Sequence, residues 1–202
     1  RKVVEFAYQN APAIKEKFDK AGIAPSEIRT TKDLEKVPIT RKEDLPGLQL
    51  ASPPFGGFVT LPMSNLGWVV AHPGPFYVPC HTEECYQCAA KALYAGGFRQ
   101  GDIVVNTFPY TYHAAWLLSE GLKRLKITVI PTGVGNTEFQ IKVMRDLRVI
   151  GFLGTPSFLN NIISKAEEKG YNFRQDFSLR IAIVGGERTP PELKNKFQDE
   201  CG

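Results

Sequence analysis

Three groups of residues have types and spacing that could do chemistry. His72-Pro73-Gly74-Pro75-Phe76-Tyr77-Val78-Pro79 follows a short apolar run and precedes a stretch of helical composition, the place where a glycine-bearing loop can grip a phosphate. Such a loop works through backbone N–H groups, hydroxyls and an ammonium. Here Pro73 and Pro75 lack an N–H, and within the segment only His72 can carry positive charge near neutrality. Gly185-Gly186-Glu187 closes another apolar run, where glycines would let the backbone approach a flat ligand closely; two glycines ahead of Thr189-Pro190-Pro191 would also serve as a plain strand-to-helix turn. His81, Cys85 and Cys88, with Cys80 beside them, would share one helical face and offer zinc-type donors. Zinc sites usually draw ligand pairs from separate turns, and cysteine is among the most buried residue types, so these read as buried thiols with no metal.

The bulk composition excludes several classes. The 202 residues, 43% hydrophobic, suffice for a packed core. A net charge of +4 arises from 25 Lys+Arg against 21 Asp+Glu dispersed along the chain, so nucleic acid is not expected as a partner. No apolar run approaches the ~20 residues of a membrane helix. The opening Arg1-Lys2-Val3-Val4-Glu5 has no apolar signal region, so the expected compartment is the cytosol. Arg1 opens mid-pattern and Cys201-Gly202 closes just after a helix has begun, which reads as a piece of a longer protein.

The elements that must position these groups are legible as periodicities. Ile14 and Phe18 make one helical face that Gly22 ends, and Thr40-Arg41-Lys42-Glu43 has capping-box spacing for a short helix toward Leu45. Residues 1–60 therefore read as a small helical N-terminal cap, with turn-rich Ala51 to Gly57 near its end. Residues 61–202 read as an α/β region. Trp68 to Ala71 is a short strand leading into the His72 loop, and Thr82 to Ala95 is helical. Apolar runs at Ile103–Val105, Ile127–Ile130, Val149–Leu153 and Leu179–Val184 then alternate with helical stretches at 114–125, 138–147 and 156–169. That alternation specifies a mostly parallel sheet with flanking helices, covered on both faces. Ligands of such sheets bind at the carboxyl ends of the strands, here 106–110, 131–135, 154–157 and 185–188.

On these residues the chain resembles the adenylate-forming ligases, and within them the phenylacetate-CoA ligase branch. The likeness is carried by Tyr8-Gln9-Asn10-Ala11-Pro12, Leu34 to Leu45, Gly101-Asp102-Ile103-Val104, Thr128-Val129-Ile130-Pro131, Thr137 to Ile141, Thr155-Pro156-Ser157 and Gly185-Gly186-Glu187, in that order. The resemblance implies a partial adenylate-forming fold, the family's C-terminal domain being absent. It implies ATP, Mg2+ and coenzyme A as cofactors and a small, aromatic or medium aliphatic carboxylate as substrate. It also implies that Gly185, Gly186 and Glu187 serve the adenine side, with His72 and Gly74 at the phosphates. Tyr110, His113 and Trp116, with Thr155 and Pro156, would lie at the acyl pocket. His113 reads equally as a loop or helix-start residue, and the Thr155 and Ser157 hydroxyls read as helix caps.

The family's phosphate loop is a Ser/Thr/Gly-rich run ending in Lys-Pro, of which this chain keeps only Gly74 and Pro79. No catalytic residue is assigned. The chain alone is not expected to turn over. The rival readings are a non-catalytic nucleotide- or acyl-binding homologue and an acyl-protein-synthetase-like enzyme; a homodimer is left open.

Overall fold

The structure, a computed structural model, describes residues 1–80 and 83–201. The chain forms two compact units, Arg1–His81 and Thr82–Gly202. The expected division lay at 60/61; in the structure the first unit also takes in the strands that follow the helical cap.

In the first unit, α1 (Lys2–Asn10) and α2 (Pro12–Ala21) are followed by single 3-10 turns and α3 (Leu45–Ala51). Helix α2 starts with Pro12 at its first position and stops at Gly22, which takes the left-handed conformation (φ 67°) that closes a helix cheaply. Phe18 on its inner face is 4% exposed. The capping box expected at Thr40 does not form. The Thr40 hydroxyl instead accepts a hydrogen bond from the Lys17 ammonium, and α3 begins after Asp44 without a side-chain cap.

The chain then forms an antiparallel hairpin, β1 (Trp68–His72) against β2 (Phe76–Cys80), with His72 opposite Phe76. This corrects the reading of His72 to Pro79 as a loop. Only Pro73, Gly74 and Pro75 turn, and Gly74 takes φ 115°, which a residue with a Cβ rarely adopts. Pairing wins because Phe76, Tyr77 and Val78 favour extended backbone. Gln49 on α3 holds the second strand in place: its amide donates to the Tyr77 carbonyl (2.8 Å) and accepts from the Tyr77 N–H (2.9 Å).

The second unit is the expected α/β ladder. Its elements are α4 (Glu83–Ala95), β3 (Ile103–Asn106), α5 (His113–Arg124), β4 (Thr128–Pro131), α6 (Thr137–Asp146), β5 (Gly151–Gly154), α7 (Pro156–Glu168), α8 (Phe173–Asp176), β6 (Ile181–Val184) and α9 (Pro191–Cys201). The sheet is parallel throughout, in the order β4-β3-β5-β6. Successive residues of the central strands point to opposite faces, and both faces are dry. Val105 and Phe152 enter one core with α6, α7 and α8, whereas Val104 and Leu153 enter the other with α4 and α5. Full burial of each such side chain is worth about 1.5–3 kcal/mol. No helix among the described residues is long and apolar enough to cross a membrane.

Cys85 and Cys88 are exposed, which corrects their reading as buried thiols. The inner face of α4 is made by Ala89, Ala90 and Leu93, and the helical period carries positions 85 and 88 to the solvent side. His81 lies outside the described residues, and among those described no group of His, Cys, Asp and Glu is placed to hold a metal ion.

Candidate active site at the strand ends

The strand order places the site. From β3 the chain crosses through α5 to β4; it then crosses back through α6 to β5 on the other side of β3, and on through α7 to β6. Helix α5 therefore packs in one core and α7 in the other. The loops leaving β3 and β5 part at their carboxyl ends, and such a switch point is where open α/β sheets bind ligands.

At this crevice Asn106 is fully buried, and each of its side-chain groups is matched. Its amide donates to the Ala115 carbonyl (3.0 Å) and the Ser119 hydroxyl (2.9 Å), and its oxygen accepts from the Phe108 N–H (3.1 Å). Thr107 spans to β5, its backbone N–H and hydroxyl both donating to the Leu153 carbonyl at 2.8 Å. The neighbouring β4 loop is tied back: the Gly133 N–H and Thr132 hydroxyl reach the Asn106 carbonyl, and the buried Gln140 amide donates to Thr132 (3.1 Å) and the Gly133 carbonyl (2.8 Å). The Gln140 Oε1 is buried with no hydrogen-bond partner among the described residues. Asn106, Thr107, Thr132 and Gly133 lie in the strand ends expected to hold the site, but Gln140 on α6 and the hydrogen bonds that join them do not show in the sequence, because they depend on the strand order.

Of the expected acyl-side residues, Tyr110 and Trp116 are brought together in and after the β3 loop. The Trp116 indole N–H donates to the Tyr110 carbonyl (2.6 Å), and the two rings meet edge to face at 5.1 Å. The Tyr110 hydroxyl is 2.7 Å from that of Ser119, and burial pushes its pKa up, partly opposed by hydrogen bonds to Ser119 and Asn106. His113 is the first residue of α5 and is half-buried. The aromatic pair is thus a braced wall.

Thr155 and Pro156 start α7. The Thr155 hydroxyl accepts from the Phe158 N–H (3.3 Å), and buried Pro156 holds the first helical position, where its missing N–H costs nothing. Ser157 has a second role: its hydroxyl (2.9 Å) and N–H (3.3 Å) both donate to the Glu187 carboxylate, joining the α7 start to the β6 loop. A carboxylate at a helix N-terminus is also favoured by the helix dipole. A Cβ added at Gly185 would have nothing within 4 Å, and one at Gly186 (φ 84°) would meet only the Thr155 methyl at 3.7 Å. Open space beside bare backbone is what close approach of a flat ligand requires.

His72 and Gly74 belong to the other unit, at the hairpin turn. The His72 ring stacks on Phe76 (4.8 Å, 19°), and its Nδ1 is 2.9 Å from the Pro73 carbonyl oxygen. A mostly apolar groove of about 540 Å³ lies elsewhere, along β6 and α9 between Leu159, Ile181 and Phe197, and holds none of the expected site residues.

A parallel sheet with a switch-point crevice, a glycine-rich strand end and a braced aromatic pair defines an open α/β protein, and the solved structures it matches narrow the class. The chain superposes on a 2-hydroxyisobutyryl-CoA ligase crystallised in the postadenylation state with 2-HIB-AMP, at TM-score 0.92 and 27% identity over 99% of this chain and 44% of that one. An open conformation of the same ligase, in complex with 2-HIB-AMP and CoA, matches equally at TM-score 0.92 and 27% identity, covering 99% of this chain and 45% of that one.

Among curated proteins the chain is 28% identical to the phenylacetate-coenzyme A ligase of Pseudomonas putida and 30% identical to that of Aromatoleum evansii, over 98% of this chain and 46% of each relative. No family model matches. The chain is therefore a homologue of the phenylacetate-CoA ligases, with the fold of the adenylate-forming ligases over the part it spans. It covers about half the length of the curated relatives it matches.

Proposed function

We propose that the chain is the N-terminal part of an AMP-forming acyl-CoA ligase. A carboxylate oxygen attacks the α-phosphorus of ATP, giving an acyl-adenylate and releasing pyrophosphate; the thiol of coenzyme A then takes the acyl group, giving a thioester and AMP. The observation that carries the reading is the coincidence of the switch-point crevice with the Gly185-Gly186-Glu187 strand end, in a fold shared with a ligase crystallised with an acyl-AMP.

In this reading the adenine edge lies against the bare backbone of Gly185 and Gly186, while Ser157 and Glu187 hold the two loops at fixed separation. Tyr110 and Trp116 form the apolar wall facing the acid, with His113 at its polar end. Thr155 and Pro156 set the start of α7. A small aromatic or aliphatic acid suits such a wall. The strand ends do not make a Mg2+ cage: Glu187 is their only carboxylate, and Ser157 donates to both of its oxygens. Turnover requires the remainder of the protein, and the expected compartment is the cytosol.

The test is carboxylate-dependent ATP–pyrophosphate exchange by the full-length protein, with phenylacetate and 2-hydroxyisobutyrate as probes and thioester formation on adding coenzyme A. Exchange without coenzyme A-dependent product would favour an acyl-protein-synthetase type of enzyme. The proline-bearing hairpin supports a second reading, a homologue that binds nucleotide without reacting. AMP binding with no exchange for any acid would establish it.

A further inference from the structure

A pair of nucleophilic side chains lies outside the candidate site at the strand ends. Cys85 and Cys88 enclose Tyr86 and Gln87 as a C-x-x-C run at the head of α4 (Glu83–Ala95), and both are exposed and in the thiol form. The residues around them are anchored. The Arg124 guanidinium of α5 pairs with Glu83 (2.7 Å) and lies over the Tyr86 ring, 4.4 Å from its centre, while the Gln87 amide donates to Glu83 (3.0 Å). On the inner face Ala89, Ala90 and Leu93 are buried. Helix α4 is thus fixed about its own axis, and its period keeps positions 85 and 88 together on the solvent side.

We propose that Cys85 and Cys88 are a redox-active dithiol, closed to a disulfide by exchange with a low-molecular-weight disulfide and reopened by thiols. The spacing permits the bridge. Residues three apart in a helix have Cα atoms about 5 Å apart, inside the roughly 4.4–6.8 Å that a disulfide spans. Their Cβ atoms, about 5–6 Å apart, must close to about 4 Å, and the head of a helix, where backbone bonds are fewest, yields most readily. C-x-x-C beside alternating strands and helices is also the spacing of reversible dithiols rather than of structural bridges. In the first exchange one cysteine thiolate attacks the small disulfide; its S–S bond breaks, a mixed disulfide forms and one thiolate leaves. The second cysteine then attacks the protein sulfur of that mixed disulfide, forming the Cys85–Cys88 bond and expelling the other thiolate. The two protein thiols give up two electrons and two protons, and the small disulfide becomes two thiols.

The experiment equilibrates the native full-length protein and its Cys85→Ser and Cys88→Ser variants with reduced and oxidised glutathione, quenches with acid and maps the cysteines by peptide mass spectrometry. A second thiol so close acts at an effective concentration on the order of 1 mM or more. With reduced glutathione at about 0.1 mM, the Cys85–Cys88 bridge should therefore exceed the mixed disulfide about ten-fold, and dithiothreitol should reverse it. In either serine variant the remaining cysteine should stop at the glutathione mixed disulfide. Wild-type protein that carries glutathione on both cysteines without the internal bridge would overturn the proposal. So would a bridge from either one to Cys80 or Cys201, or thiols that stay reduced in the native protein at every glutathione ratio.

Discussion

Asn106 tests the site geometry without recourse to any ligand. Removing its side chain by Asn106→Ala leaves the Ser119 hydroxyl its bond to Tyr110 and leaves the Ala115 carbonyl its place in the α5 ladder, but strands the Phe108 N–H and opens a void at a fully buried position. A stranded N–H costs roughly 1–3 kcal/mol and the void adds to it, so the loss should be about 2–4 kcal/mol. Asn106→Asp keeps the shape but replaces the donor with an acceptor facing the Ala115 carbonyl, and it buries a charge.

That burial raises the new carboxyl's folded pKa above its unfolded value of about 3.9. The penalty is therefore full at neutral pH, shrinks as the pH falls through the raised folded pKa, and vanishes below about 3.9, where both states are protonated. The assay is urea unfolding of wild type and variants at pH 7.5 and 5, followed by Trp fluorescence, with each variant compared with wild type at the same pH. An Asn106→Ala loss under about 0.5 kcal/mol, or an Asp penalty equal at both pH values, would refute the buried network.

Three further outcomes follow from the packing and the surface charge. A Cβ at Gly154 would fall 2.1 Å from the Thr107 hydroxyl and 2.5 Å from the Phe152 ring, so Gly154→Ala should destabilise by about 1–3 kcal/mol, measured in the same unfolding assay. The Arg124 guanidinium holds the Glu83 carboxyl down at about 2, against an ordinary 4.5. The stability it lends is present above 4.5 and fades as the pH falls toward 2, and Arg124→Gln should return the NMR titration midpoint of Glu83 toward 4.5. Cys85 and Cys88 should both react with a thiol reagent in the native protein, and protection of both until unfolding would contradict the face assigned to α4.

Much of this molecule is written locally. The runs at Ile103, Ile127, Val149 and Leu179 became β3 to β6 within a residue or two, since β-branched residues in short apolar blocks bounded by glycine and proline have few other outcomes. Thr155 and Pro156 began α7 as their capping chemistry requires. Local signals misled where a distant partner competed: Thr40 was taken by Lys17 before it could cap a helix, and Phe76 to Val78 paired with β1 instead of forming a loop. The cysteines misled for another reason, because composition speaks of averages and only the phase of α4 says which face each residue takes.

The sequence by itself determined the class of fold, the strand ends and the resemblance to the ligases, because each rests on residues near one another in the chain. Tertiary structure alone decided the strand order, and with it the crevice between β3 and β5 where Asn106 and Thr107 stand. It also decided that the Lys42 ammonium stands 5.7 Å from the centre of the Phe76 ring at the hairpin turn. Both are pairings between segments far apart in sequence, set by which apolar faces can be buried together, and no local pattern records such a choice.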